Sequence, residues 1–278
     1  GRALAKYPRE SWYLANKYPG HQIASEYNPS DIFEEQLKRL RTDHIDYFLF
    51  HMMADIRVWE RLKSMGIERW IEEKKAAGTI RQFGFSYHGG SDMFCKILDA
   101  FDWDMCLIQY NYMDEHTQAG RRGLDHAHAK GIPVVIMEPL RGGRLAKLAP
   151  EYEAQLTALR PDEEIPAWAF RFLQSIEGVT MVLSGMSNME QLQQNIATWD
   201  EDKPLSQEEM DAALAAVPAE LVRILERAKA NIEDFHKLMT EPRGFDCMDE
   251  YITEILLCLP LGSAEAERLE DMVRSTAE

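Results

Sequence analysis

Short runs of apolar residues alternate with amphipathic segments along residues 1–200 of this chain. The clearest run covers residues 46–51 (DYFLFH), an apolar stretch that stops abruptly at a histidine. Continuous apolar runs of this length are typical of parallel strands that are buried on both faces, whereas the amphipathic segments have the periodicity of helices. The pattern therefore predicts a parallel α/β fold.

Six strand-and-helix units follow from this pattern. The strands are predicted at residues 12–17, 46–51, 81–87, 105–110, 133–137 and 180–184, and the helices at 28–41, 67–77, 91–101, 118–130, 164–174 and 188–197. No hairpin signal interrupts the alternation, which favours a TIM-type (β/α)8 barrel over an open sheet. Because a closed barrel of this type needs eight units, we expect an incomplete barrel with two open strand edges.

Three further segments complete the predicted organisation. Residues 1–7 resemble a helix that Pro8 ends, residues 55–65 look like an insert, and residues 201–278 have the pattern of helices. At residues 206–209 the sequence SQEE resembles a capping box. We therefore divide the chain into a partial β/α barrel at 1–200 and a helical C-terminal extension at 201–278.

Composition and charge narrow the class of protein. A chain of 278 residues with 45% hydrophobic content is long enough for one α/β barrel with a sizeable core. Its formal charge of −16, without any basic block, argues against nucleic acid and anionic membrane surfaces as partners. The sequence shows no apolar run of ~18 residues and no charged-then-apolar leader, which favours a cytoplasmic location.

Polar side chains stand where the predicted strands end. Lys17 ends the first strand, His51 ends the second, Ser86 lies near the end of the third, and Gln109 lies near the end of the fourth. In β/α barrels this edge of the sheet carries the chemistry. Each residue also has an ordinary structural explanation, as a strand-end lysine, a core histidine or a loop cap, but their joint placement favours a functional site.

These strand ends and the loops after them resemble the aldo-keto reductase family. The resemblance is carried by Lys17, His51, residues 84–86 (GFS), 109–111 (QYN), 137–143 (MEPLRGG) and 184–195 (SGMSNMEQLQQN). It covers about residues 1–200, and it is specific because six motifs agree in order and each lies at the same end of its strand. The branch that the chain most resembles includes members with a cysteine-rich, ferredoxin-like tail.

The resemblance implies an eight-stranded β/α barrel that transfers hydride from NADPH to a carbonyl. The six units correspond to the third through eighth units of the family. The family's catalytic tyrosine and aspartate therefore have no counterpart in the sequence, and only Lys17 and His51 can be assigned. We expect an NAD(P)H-dependent oxidoreductase that acts on a small carbonyl substrate, with little activity in this chain by itself.

The chemistry of carbonyl reduction suits these two catalytic candidates. Addition of hydride to a carbonyl leaves an alkoxide, which requires a proton donor and further hydrogen-bond donors. A buried ammonium at Lys17 would lower the pKa of a neighbouring phenol, and a neutral imidazole at His51 would orient or polarise the carbonyl oxygen.

The resemblance also assigns residues to the cofactor. Ser86 and Gln109 are expected to hold the nicotinamide carboxamide. The glycine-rich loop is expected to cradle the pyrophosphate with its backbone N–H groups and its cations; the assigned residues of this loop are Pro139, Leu140, Arg141 and Gly143.

The last motif is expected to contact the adenosine through Ser187, Gln191 and Asn195. Many family members place basic residues against the adenosine 2′-phosphate, whereas this motif offers neutral side chains at a helix N-terminus. The choice between NADP(H) and NAD(H) therefore stays open. Met137 stands where many members have an aromatic residue that stacks on the nicotinamide.

Other chemistries find less support. His126 and His128 lie two positions apart on a predicted helix, where their side chains diverge, so we predict no metal site. Cys247 and Cys258 lack the spacing of a cluster, so we predict no iron–sulfur centre. A metal-dependent hydrolase is weak because no strand carries a His/Asp cluster. The main alternative is a non-catalytic relative that binds nucleotide, or that associates with itself or another chain through the open barrel edges.

Overall fold

The computed structural model describes residues 1–19 and 28–215. Within them, six strands form one sheet in the order β1-β2-β3-β4-β5-β6, and every neighbouring pair is parallel. The strands are β1 (Ala15–Tyr18), β2 (Ile45–Phe50), β3 (Ile80–Tyr87), β4 (Met105–Gln109), β5 (Val134–Met137) and β6 (Val179–Val182). The predicted parallel α/β architecture is confirmed, and β1 and β6 are the edges of the described sheet.

Nine helices accompany the sheet in the described ranges. They are α1 (Pro29–Leu40), α2 (Ile56–Ser64), α3 (Ile67–Ala76), α4 (Ser91–Asp99), α5 (Gly120–Ala129), α6 (Pro150–Leu159), α7 (Ile165–Gln174), α8 (Met189–Trp199) and α9 (Gln207–Ala215). All six predicted helices of the barrel units are present. None of the helices within residues 1–19 and 28–215 has the length and apolar content that a membrane span requires.

Three segments differ from the sequence-based expectation. The helix predicted at residues 1–7 is only a short 3-10 turn, Leu4–Lys6, and a second turn follows Pro8. The expected insert contains α2, whose N-cap Asp55 accepts a hydrogen bond from the Arg57 N–H at 2.8 Å. The long connection before α7 contains α6, whose apolar residues do not gather on one face.

The described chain divides into two compact units. The first comprises residues 1–110, 118–139 and 176–187, and it contains all six strands with α1 to α5. The second comprises residues 111–117, 140–175 and the described residues from 188 onward, with α6 to α9. Because only residues 201–215 of the proposed C-terminal extension are described, the division at residue 200 stays a prediction.

The two faces of the sheet in the first unit carry different side chains. One face packs aromatic residues against the helices; Phe48, for example, meets Phe33 of α1 edge-on with ring centroids 5.2 Å apart. The opposite face carries the buried apolar cluster of Leu49, Met105, Leu107 and Val135, with Tyr47 and Met137 packed against it. We call this second face the site face, because the residues considered below project from it.

Gly84 allows β3 and β4 to approach each other closely beneath the site face. A Cβ at this position would lie 2.4 Å from the Met105 carbonyl oxygen and 2.7 Å from the Met105 Cγ. The backbone cannot yield to such a contact without moving the strand, since cores are closely packed. The glycine of the GFS motif is therefore required by packing.

Asp46 ties the amino end of β2 to its neighbours. Its buried carboxylate accepts hydrogen bonds from Arg9 at 2.6 Å, from Arg81 at 2.7 Å and from the Leu14 N–H at 2.8 Å. Burial by itself raises the pKa of Asp46, but the hydrogen bonds from Arg9 and Leu14 and the charges of the two arginines outweigh it. The pKa of Asp46 is therefore below its ordinary value.

The second unit is organised around a buried arginine and a capped helix. Arg171 of α7 is almost fully buried and donates hydrogen bonds to Glu163 and to the carbonyls of Thr198 and Glu201. At α9 the Ser206 N–H donates to the Glu209 carboxylate at 2.7 Å, and the Glu209 N–H donates to the Ser206 hydroxyl at 3.3 Å. This reciprocal pair confirms the predicted capping box.

Candidate active site

Strand register brings the predicted catalytic and nicotinamide-binding residues to one edge of the first unit's sheet. Lys17 pairs with Leu49, Ser86 with Leu107, and Gln109 with Met137. Paired residues of neighbouring parallel strands project to the same side of a sheet, so these three residues share the site face. His51 directly follows β2, two residues beyond Leu49. The four residues therefore stand in succession at the carboxyl ends of β1 to β4.

Lys17 is the cation of this group. Its side chain is half-buried at the end of β1, on the face that carries the apolar cluster. Burial lowers the pKa of the Lys17 ammonium, because the charged form loses hydration. A lysine in this environment gives up a proton more readily than an exposed one.

A short turn after β2 holds His51. The His51 N–H donates to the Tyr18 carbonyl of β1 at 2.8 Å, the Met52 N–H donates to the Ser86 hydroxyl at 3.0 Å, and the Met53 N–H donates to the Ser86 carbonyl at 2.8 Å. The turn is thus attached to both strands that flank β2. This attachment fixes the backbone that carries the imidazole.

Two buried neutral side chains lie on the site face, Ser86 beside this turn and Gln109 at the end of β4. Ser86 is fully buried and Gln109 is 2% exposed. A hydroxyl and a primary amide can donate to and accept from the same ligand, which is the donor set that a carboxamide requires. Their chemistry therefore fits the role that the family resemblance assigns to them.

His88 is a polar residue of this edge that the sequence analysis did not single out. It directly follows β3, is half-buried, and its Nδ1 lies 3.2 Å from the Gln118 Oε1. A histidine immediately after a strand was the signal that identified His51, and the same signal applies to His88.

The glycine-rich loop is divided between the two units. Buried Pro139 is the last residue of its segment in the first unit, whereas Leu140, Arg141 and Gly143 belong to the second. Gly142 and Gly143 have φ values of 63° and 88°, a conformation that favours glycine. The Gly143 N–H donates to the Leu140 carbonyl at 2.9 Å. That N–H group is therefore engaged within the loop itself.

Arg141 is buried and ion-paired in the second unit. Its Nε lies 3.3 Å from the Asp114 Oδ2, which also accepts a hydrogen bond from the Asn111 amide at 2.8 Å. The Asp114 carboxylate therefore balances the charge of the Arg141 guanidinium within the second unit. The contact of Arg141 with a pyrophosphate stays a prediction.

The adenosine candidates lie around the start of α8. Exposed Ser187 is the last residue of the first unit, and Gln191 and Asn195 belong to the second. The Asn188 side chain caps α8 by accepting a hydrogen bond from the Gln191 N–H at 2.9 Å. Gln191 and Asn195 are four positions apart and share one face of α8, which contains no lysine or arginine.

No metal or disulfide chemistry is visible in residues 1–19 and 28–215. That part of the chain contains no group of three or more histidine, cysteine or acidic side chains that could hold a metal ion. Cys95 and Cys106 are free thiols. The prediction about an iron–sulfur centre concerns Cys247 and Cys258, which lie outside the described residues.

A parallel β/α sheet with polar residues at the carboxyl ends of its strands is consistent with the class of TIM-barrel proteins. Residues 1–217 match the Aldo/keto reductase family model, and the chain belongs to this family. A search of curated proteins finds no match.

Solved structures of aldo-keto reductases share the fold. Aldo-keto reductase AKR11C1 from Bacillus halodurans is 21% identical with a TM-score of 0.60, and the match covers 77% of this chain and 76% of that one. The thermostable aldo-keto reductase Tm1743, in complex with the inhibitor epalrestat, is 21% identical with a TM-score of 0.59 over 77% and 75%. MGS-M4, an aldo-keto reductase from a Medee basin deep-sea metagenome library, is 20% identical with a TM-score of 0.60 over 78% and 76%.

Family and fold together support an oxidoreductase. They also confirm the family that the strand-end motifs indicated. The alternative of a non-catalytic binding or assembly subunit is not favoured by these comparisons.

Proposed function

We propose that this chain is an NAD(P)H-dependent oxidoreductase that transfers hydride to the carbonyl of a small molecule. The observation that supports the proposal is the succession of Lys17, His51, Ser86 and Gln109 at the carboxyl ends of four adjacent strands, with Lys17, Ser86 and Gln109 on one face of the sheet. These residues provide a cation, an imidazole and neutral hydrogen-bonding groups next to the buried apolar cluster of the site face. That set suits a reaction in which a neutral carbonyl becomes an alkoxide.

Each catalytic candidate has a distinct role in the proposal. The Lys17 ammonium, whose pKa is lowered by burial, supplies positive charge near the oxygen on which negative charge develops. The His51 imidazole donates a hydrogen bond that orients the carbonyl. A neutral imidazole can do this, because one of its two ring nitrogens carries a hydrogen.

Ser86 and Gln109 would hold the carboxamide of the nicotinamide, because both are buried neutral hydrogen-bonding groups on the site face. A bound nicotinamide would supply the hydride, and the resulting alkoxide would take its proton from water. The proposed contacts to the pyrophosphate are Pro139, Leu140, Arg141 and Gly143, and those to the adenosine are Ser187, Gln191 and Asn195. Since α8 offers no cation, we propose that NADPH and NADH bind with comparable affinity.

Calorimetric titration of the chain with NADPH and with NADH tests cofactor binding. We expect saturable binding of both, with dissociation constants within about tenfold of each other, a free-energy difference of about 1.4 kcal/mol. The variant Gln109→Leu should bind both more weakly. A folded sample that binds neither cofactor would sink the proposal.

Hydride transfer is tested by following NADPH oxidation with a series of simple aldehydes. Wild-type turnover should be slow, since only Lys17 and His51 of the family's catalytic group can be assigned. Lys17→Met should reduce it by a further factor of at least about ten, because removal of one electrostatic stabiliser of a developing oxyanion typically costs that much or more. Lys96→Met, which changes an exposed lysine of α4, is the matched control and should leave turnover unchanged. Equal losses in the two variants would contradict the role of Lys17.

Three expectations about the setting of this activity stay predictions. They are a cytoplasmic location, a small carbonyl substrate, and the use of the open strand edges for self-association or for a partner chain.

A further inference from the structure

The residue after His51 has a backbone conformation that side chains avoid. Met52 has a φ of 53°, in the left-handed region where a Cβ crowds the backbone. Non-glycine residues persist in this conformation only when the surrounding structure holds them there. The turn that carries His51 must therefore be held by its neighbours.

Ser86 supplies two of the hydrogen bonds that attach this turn to the flanking strands. Its hydroxyl accepts from the Met52 N–H at 3.0 Å and its carbonyl accepts from the Met53 N–H at 2.8 Å. The carbonyl bond needs only a backbone, whereas the hydroxyl bond needs this side chain. Because Ser86 is fully buried, water cannot readily replace its hydroxyl when it is removed.

The Ser86 hydroxyl can form a second hydrogen bond in addition to the one with the Met52 N–H. A hydroxyl carries one donor and two acceptor sites, and the Met52 N–H occupies an acceptor site. This bond leaves the hydroxyl hydrogen able to donate to another group. The carboxamide oxygen of a bound nicotinamide is the acceptor that the proposed function places at this residue.

We infer that Ser86 is a positioning residue for His51: its hydroxyl holds Met52 in the left-handed conformation and thereby fixes the place of the imidazole. This inference rests on the proposed function for its catalytic meaning, because it makes one side chain serve both the cofactor and the histidine. Loss of the hydroxyl should disturb His51 even when no cofactor is bound.

A double-mutant design separates positioning from cofactor contact. Ser86→Ala removes the hydroxyl, and Met52→Gly allows the same left-handed turn without the Cβ penalty. If Ser86 acts by holding the turn, Met52→Gly should restore the position of His51 in the Ser86→Ala background. Arg41→Gly is the matched control, because Arg41 also has a positive φ, 58°, but ends α1 without contact to Ser86.

The first readouts are nuclear magnetic resonance measurements on the cofactor-free chain. In Ser86→Ala the Met52 amide should exchange with solvent about tenfold faster, the effect expected when one buried hydrogen bond is lost. The His51 imidazole resonances should shift by more than their line width. Adding Met52→Gly should return them toward the wild-type position, and adding Arg41→Gly should not.

Kinetic readouts then distinguish positioning from binding. Ser86→Ala should weaken cofactor affinity and lower kcat, and Met52→Gly should recover kcat without recovering cofactor affinity. Unmoved His51 resonances in Ser86→Ala, or equal rescue by Met52→Gly and Arg41→Gly, would overturn the inference.

One measurement keeps the inference testable even where Ser86→Ala does not fold. In the wild-type chain the Met52 amide should be protected from exchange by about tenfold or more, although 41% of the residue's surface is exposed. An unprotected amide would overturn the inference. Failure of the wild-type chain to bind either cofactor would instead contradict the proposed function. The inference about Ser86 would then be tested by the amide exchange of Met52 and the imidazole resonances of His51.

Discussion

Replacing Asp46 by asparagine should destabilise the fold more than any comparable change on the surface. The Asp46 side chain is 2% exposed, and both of its oxygens accept hydrogen bonds. An asparagine keeps one acceptor oxygen and places an NH2 group, which cannot accept, against either Arg9 or Arg81. The substitution therefore removes the buried negative charge and leaves at least one donor facing another donor.

The expected cost follows from these partners. A hydrogen bond to a charged group contributes about 1.5–3 kcal/mol, but the contributions of one network do not add fully. Arg81 is 53% exposed, so water compensates much of its loss. We therefore expect Asp46→Asn to lower the free energy of unfolding by about 3 kcal/mol, mainly through Arg9 and the Leu14 N–H. For a domain of this size that corresponds to a Tm about 6–12 °C lower.

Urea unfolding followed by tryptophan fluorescence measures this cost, with Asp99→Asn as the matched control. Asp99 also has two basic partners, Lys130 at 2.7 Å and His126 at 2.9 Å, but its side chain is 51% exposed. Exposed pairs contribute little, so the control should cost less than about 1 kcal/mol. Equal costs for the two variants would refute the account of Asp46.

The pH dependence gives a second check of the same account. Because the pKa of Asp46 is lowered in the folded chain, its contribution is fully present above the unfolded pKa, about 3.9, and is lost as the pH falls through the folded pKa. The stability difference between the wild type and Asp46→Asn should therefore shrink in acid. A difference that stays constant or grows would contradict the charged hydrogen bonds at this site.

Three further substitutions test packing and capping by the same unfolding assay. Gly84→Ala should cost about 3 kcal/mol because its Cβ would meet the carbonyl of the neighbouring strand, whereas Gly185→Ala, whose Cβ meets open space, should stay within about 0.5 kcal/mol. Arg171→Met should cost about 3–5 kcal/mol by leaving buried partners unpaired, and Arg121→Met, at an exposed pair, less than about 1 kcal/mol. Ser206→Ala should cost about 1 kcal/mol through loss of the cap on α9.

Elements whose signals are local were predicted well from the sequence. Asn28 caps α1 with a side-chain hydrogen bond to the Ser30 N–H, so the start of that helix is encoded by neighbouring residues. The apolar run before His51 became β2 with nearly its predicted bounds. The segment at 55–65 was missed although Asp55 carries a cap signal, and its buried Trp59 and Leu62 pack on one side of α2.

Features that depend on distant residues could not be predicted in the same way. The sequence placed Lys17, His51, Ser86 and Gln109 at strand ends, but their common face depends on strand register, which follows from pairing across the whole sheet.

Two details of the loops illustrate the same limit. The left-handed turn at Met52 depends on a hydroxyl 34 positions away. The ion pair between Arg141 and Asp114 likewise joins two separate loops of the second unit. Neither of these two contacts can be predicted from the residues that are near in sequence.

The central claim is that the strand-end residues hold a nicotinamide cofactor and pass its hydride to a carbonyl. Its most direct test is to incubate the chain with an aldehyde and NADPH that carries deuterium on the nicotinamide, and to analyse the alcohol by mass spectrometry. The account predicts slow formation of an alcohol that carries one deuterium with the wild type and Lys96→Met, and much less of this product with Lys17→Met. Absence of deuterated alcohol with a folded wild-type chain would contradict it.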